Sequence, residues 1–123
     1  TDCSSEGDAR LRKAVPGYYA RLMKAGSALA MPEDTCTIAY DIYLTTHKGA
    51  QDQVITATLK TIWDNVGKLP PIHPIFKEWT RERAVDPDVV IPYHPAAAQF
   101  YKERGLWSAK MDDAQRKLLV LNP

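Results

Sequence analysis

The side chains in this sequence that could do chemistry are three histidines, two cysteines and a group of tyrosines. His47, His73 and His94 never fall at i, i+3 or i, i+4 spacing, and HExxH is absent. No two of them can therefore share one helix face as a zinc site of that kind requires. His73 and His94 each stand directly before a proline. An imidazole there can accept a hydrogen bond from the free N–H groups of a helix's first turn, and that capping role is favoured over a catalytic one. Cys3 and Cys36 have no partner at CxxC spacing. They could form one bridge, worth about 3.8 kcal/mol for a loop of roughly that span in the chain-entropy model; two buried free thiols are the other reading. No GxSxG, P-loop or GxGxxG occurs, and nothing marks a serine or cysteine nucleophile. No catalytic residue, metal site or cofactor is expected.

Tyr18, Tyr19, Tyr40 and Tyr43 could line a binding cleft, because a phenol joins apolar area to a polar tip. Packing around strands competes with that reading and is favoured for at least two of the four. Lys77, Arg81 and Arg83 are interleaved with Glu78 and Glu82, the pattern of a solvated helix face.

Five helices and two or three strands must position these groups. Ser4 or Ser5 can cap a first helix that Pro16-Gly17 stops. Tyr18 to Lys24 reads as extended, and Ala25 to Asp34 as a loop. Cys36 to Thr45 is the best strand: Ile38, Tyr40, Ile42 and Leu44 alternate with Thr37, Ala39, Asp41 and Tyr43. Asp41 then faces away from the apolar row, solvated or hydrogen-bonded. A long amphipathic helix follows, with Val54, Ile55, Leu59, Ile62, Trp63 and Val66 on one face, ended by Gly67 and Pro70-Pro71. His73-Pro74 and His94-Pro95 open two more helices, and Gly105 closes the second of these. Between them, Val89-Val90-Ile91 is strand-like. Ser108 caps a final helix whose stripe is Met111, Ala114, Leu118 and Leu121, expected to pack on the fold rather than on a membrane surface.

The chain has 123 residues, one domain's worth at most, with 25% charged and 45% hydrophobic residues. That balance argues against a disordered tail, a collagen-like segment and a membrane span. With 16 basic against 15 acidic residues, a net charge of +1, nucleic acid is a poor candidate partner. No signal-peptide pattern follows Thr1, although one could have been removed from a precursor. A strand as apolar as Ile38–Leu44 needs a neighbour, and a loop of about ten residues separates it from the extended segment before it. It is therefore expected to pair with another chain or a second copy, giving a homodimer.

Four stretches in order resemble the carboxyl-terminal portion of a TRAP transporter solute receptor of the TAXI family. They are VPGYYARLMKAG, then TIAYDIYL, then VITATLKTIWDNVGKL followed by IHPIF, and finally IPYHPAAAQFYKERGLW. The last is similar to the family's proline–x–His–Pro–Gly–Ala motif with its following aromatic residue, Tyr and Lys/Arg-Glu before Gly. The resemblance covers roughly residues 8–107. Ala96 stands where the family has glycine, and AGSALAMPED replaces an Ala-Gly-Thr-Tyr-like loop near the expected ligand contacts.

The resemblance implies an α+β, helix-rich fold, with residues 1–123 forming a single segment of a two-lobed, type II periplasmic-binding-protein-like receptor whose amino-terminal lobe is absent. It implies no enzyme activity. The expected function is capture of a small organic solute, a carboxylate or amino acid, in the periplasm and its delivery to TRAP membrane permease subunits, with little binding by this chain alone. Gly26, Ser27, Thr37 and Tyr40 are the candidate ligand contacts, chosen by position in the loop and strand. The alternative is a free-standing helical protein-interaction domain without catalytic activity.

Overall fold

The computed structural model describes residues 2–121. The chain divides into two compact units, Thr1–Leu44 and Thr45–Pro123.

In the first unit, helix α1 (Ser5–Ala14) starts at Ser4, whose Oγ accepts from Gly7 N–H at 3.0 Å. Glu6 and Asp8 sit at its positive end, and Arg12 and Lys13 at its negative end. Strands β1 (Tyr18–Met23) and β2 (Thr35–Tyr40) form an antiparallel hairpin, in register from Tyr18 opposite Tyr40 to Met23 opposite Thr35. The expectation of an unpartnered strand is thereby corrected: β2 pairs within its own chain. It also ends at Tyr40 rather than Thr45. The long connection closes because Asp34 reaches back across it, accepting from Lys24 Nζ at 2.6 Å and Ala25 N–H at 3.0 Å.

Ala20 N–H turns away from β2 and donates to Asp8 Oδ1 at 2.7 Å, which lays α1 along the outer edge of β1. A disulfide joins Cys3 to Cys36, with 5.7 Å between their Cα atoms, so the question the sequence left open resolves to a bridge. Gly7 is the one buried residue of this unit among the described residues. The apolar row of β2 is exposed, Ile38 by 54% and Tyr40 by 63%, and Ile42 and Leu44 after it likewise. The Cys3–Cys36 bridge meets the loop end of that face at Cys36, and Ile38 and Tyr40 beyond it stay exposed.

The second unit is helical. Helix α2 (Asp52–Asn65) runs into a 3-10 turn at Val66–Lys68. A five-residue 3-10 segment, Pro74–Glu78, stands where the sequence suggested a fuller helix. Its bonds run i to i+3, Phe76 N–H to the His73 carbonyl and Trp79 N–H to that of Phe76. Helices α3 (Pro95–Lys102) and α4 (Ala109–Leu121) complete it. Among the described residues the expected five helices thus become four α-helices and two 3-10 segments, with two strands.

The strand-like run Val89-Val90-Ile91 forms no strand. Asp86 Oδ1 accepts from Asp88 N–H and its carbonyl from Val89 N–H, so the run opens in a turn, and Pro92 brings no ladder donor. Ala97, Phe100 and Tyr101 of α3 form the core, covered by Ile55, Leu59 and Trp63 of α2 and by Tyr93, Leu106 and Trp107. Phe100 is 3% exposed and Met111 of α4 only 2%. The rings meet edge to face, Trp63 on Phe100 at 5.9 Å and Tyr93 on Trp107 at 5.3 Å, the arrangement favoured by the aromatic quadrupole. Gly105, at φ +70°, takes the left-handed turn that ends α3.

Candidate functional site

All four candidate contacts lie on the first unit's hairpin, where they form two groups. Gly26 and Ser27 sit in the loop. Gly26 has φ +76°, a conformation side-chain-bearing residues resist, and its N–H donates to the Met31 carbonyl at 2.8 Å. Ser27 turns inward: its N–H and its Oγ both donate to the Lys24 carbonyl, at 3.0 and 2.6 Å. With Asp34 anchoring Lys24 and Ala25, this loop is pinned at both ends.

Thr37 and Tyr40 stand on β2 with opposite parity, so they project to opposite faces of the hairpin. Thr37 Oγ1 already donates to the Arg21 carbonyl at 3.2 Å. Tyr40 lies at the open end, five register positions from the loop side of the ladder, about 17 Å along a strand. The hairpin therefore keeps the loop pair and Tyr40 apart.

What surrounds Tyr40 is an apolar face. Tyr18, directly opposite, sets its ring 5.6 Å from that of Tyr40, and Leu22 and Ile38 continue the same face toward the loop. All four side chains are exposed. Strand alternation pointed to Ile38 and Tyr40, but Tyr18 and Leu22 join them only through the register. On the other face, Tyr19 OH donates to Asp41 Oδ1 at 3.2 Å, and the Arg12 guanidinium lies 5.2 Å from the Tyr19 ring centre. Asp41 is thus hydrogen-bonded, as expected, and Tyr18 and Tyr19 serve different faces.

The histidine caps form as expected. His73 Nδ1 accepts from Ile75 N–H at 3.2 Å, and His94 Nδ1 accepts from Ala96 N–H at 3.3 Å. The His94 side chain is only 8% exposed, with Asp52 Oδ1 3.9 Å from its Nδ1. Beside it, a cleft of about 370 Å³ opens between α2 and α3, lined by Asp52, Thr56, Ala96, Gln99, Phe100 and Glu103. Ala96, the residue that departs from the glycine of the resembled motif, is part of this wall. Burial in the neighbouring core pushes the Tyr101 phenol above its ordinary value, with the Arg104 charge opposing. No group of three or more His, Cys, Asp or Glu among the described residues is arranged to hold a metal ion.

Chemically, then, the first unit offers a pinned glycine–serine loop and a tyrosine-bearing apolar face, a surface suited to contact. Among the described residues no helix is long and apolar enough to cross a membrane. The family model of the NMT1-like family matches residues 2–105. No curated protein matches the chain.

Proposed function

Because the chain belongs to the NMT1-like family, a periplasmic-binding-like family of solute-binding proteins, we propose that it is the solute-capturing component of a TRAP-type transport system of the TAXI kind. Its solute is a small organic carboxylate or amino acid, captured in the periplasm and passed to membrane permease subunits. The observation that carries this reading is the exposed face of Tyr18, Leu22, Ile38 and Tyr40 beside the pinned Gly26–Ser27 loop. An apolar face of this kind is usually covered by a partner surface.

A second lobe supplies that cover, and the solute lies between the two walls against Tyr40 on this side. Gly26 and Ser27, at the loop end, and Thr37, on the opposite face, are too far from Tyr40 to hold the same small solute and are left to contacts with the second lobe. Capture is then a hinge closure whose free energy comes from contacts made only in the closed state. Strand β2 has a strand neighbour on one side only, so a second copy adding to its other edge would instead give a homodimer. A single monomeric species in sedimentation velocity rules that out.

Titration calorimetry tests the reading. The 123-residue chain is expected to bind dicarboxylates and amino acids weakly or not at all, and a low-micromolar affinity would overturn the need for a second wall. In the receptor expressed from its whole reading frame, Tyr40→Ala is expected to weaken solute binding about 10-fold or more, since a buried aromatic contact is worth 1–3 kcal/mol. Unchanged affinity would remove Tyr40 from the contact set.

A further inference from the structure

Every proposed solute contact lies in the first unit, yet among its described residues no apolar side chain is buried. A two-stranded hairpin is marginal in water without a packed face, and chains of about 40 residues usually need a staple. Besides the β1–β2 ladder, the Thr37–Arg21 bond and the Arg12–Tyr19 ring contact, the non-covalent ties are mostly exposed carboxylates: Asp8 to Arg12 and to Ala20 N–H, Asp34 to Lys24 and to Ala25 N–H, Asp2 to Arg10 and to Ser4 N–H. Exposed pairs of this kind are worth little and are screened by salt. That leaves the Cys3–Cys36 bridge, which closes a sequence separation of 33 between the residue before the α1 cap and the loop end of β2.

We infer that the Cys3–Cys36 disulfide is a redox gate on the order of the first unit: oxidised, it holds α1 and the hairpin together; reduced, it releases them while the second unit stays folded. A loop of that span shifts the folded-to-unfolded ratio by roughly 600-fold in the chain-entropy model. The second unit contains no cysteine and has its own aromatic core.

Opening the gate needs a dithiol reductant. Its thiolate attacks a sulfur of the bridge, most accessibly at the exposed Cys3, forming a mixed disulfide. Its second thiolate then closes the reductant's own disulfide, and two electrons and two protons end on the thiols of Cys3 and Cys36. Formation runs the other way in an oxidising compartment. The consequence for solute binding rests on the function proposed above; the ordering of the unit does not.

Amide hydrogen exchange on the whole 123-residue chain, with and without dithiothreitol, tests the gate. Tyr19 and Arg21, whose N–H groups alternate with the outward one of Ala20, report the hairpin; α2 and α3 report the second unit. Reduction is expected to lower hairpin protection by about 30-fold or more and to leave α2 and α3 unchanged. The Cys3→Ser, Cys36→Ser double variant is expected to show the same pattern without reductant. A smaller hairpin loss, or an equal loss from both units, overturns the inference. In the whole receptor, lost hairpin protection with retained solute affinity would leave the gate standing and overturn the assigned contacts instead.

Discussion

Gln115 of α4 meets both backbone groups of Tyr93: its Oε1 accepts from Tyr93 N–H at 2.8 Å, and its Nε2 donates to the Tyr93 carbonyl at 2.7 Å. The side-chain amide thus acts as a one-residue strand neighbour. It fastens α4 to the segment that leads into α3, while Met111 fills the core one turn earlier. Truncating it leaves two half-buried backbone groups without their partner. Gln115→Ala is expected to lower the stability of the second unit by about 2 kcal/mol, two ordinary hydrogen bonds, as measured by urea unfolding followed through tryptophan fluorescence. No loss would mean that water replaces the amide at no cost.

His94 stops the first turn of α3 from leaving the half-buried Ala96 N–H unpaired. His94→Ala is expected to cost about 1 kcal/mol, the usual value of a lost N-cap, whereas His94→Asn, which keeps an acceptor at the cap, should recover most of it. Equal losses in the two variants would show that packing of the imidazole, not capping, is what His94 supplies.

Gly7 is the buried residue of α1, and a Cβ there would lie 2.6 Å from Asp2 Oδ2 and closer still to the Asp2 backbone carbonyl. Replacing glycine by alanine inside a helix ordinarily gains about 0.5–1 kcal/mol. Here Gly7→Ala is expected to destabilise the first unit, because Asp2 must withdraw from Ser4 N–H and from Arg10. Increased hairpin protection in amide exchange would contradict this.

Acid should loosen the first unit before neutral pH touches it. The Arg12 guanidinium and then Ala20 N–H hold the Asp8 carboxyl below its ordinary value; Lys24 and then Ala25 N–H do so for Asp34, and Ser4, by its backbone N–H first, for Asp2. Groups whose folded values lie below their unfolded ones stabilise the fold fully above the ordinary aspartate range. That contribution is lost as the pH falls through the depressed values. The Ala20 and Ala25 amide resonances are therefore expected to stay constant from neutral pH down to about 4 and to move below it. A transition near neutrality would assign the pH dependence to other groups.

The helices were largely legible because their signals are local. Ser4 with Glu6 and Asp8, the two His-Pro starts, and the period of Ile55, Leu59, Ile62 and Trp63 each act within a turn or two, and α1, α2 and α3 begin close to where those residues place them. The hairpin was not, because its closure depends on Asp34 gripping Lys24 and Ala25 across the loop. No turn rule covers that arrangement. The Pro74–Glu78 segment carries a helix-start signal but too few residues to sustain an α-helical ladder. Of the candidate contacts, the loop pair and the strand were visible as positions, but their separation along the hairpin depends on the register.

By itself the sequence determined where α1, α2 and α3 start, the serine and histidine caps, the near-neutral charge and the ordered motifs that suggested a solute receptor. Each of these rests on neighbours a few residues apart. Tertiary structure alone decided that β1 pairs with β2, that Cys3 reaches Cys36, and that the apolar row of Ile38 and Tyr40 faces outward. Those outcomes depend on which distant groups come within bonding distance, and a one-residue change of register would have put that row on the opposite face.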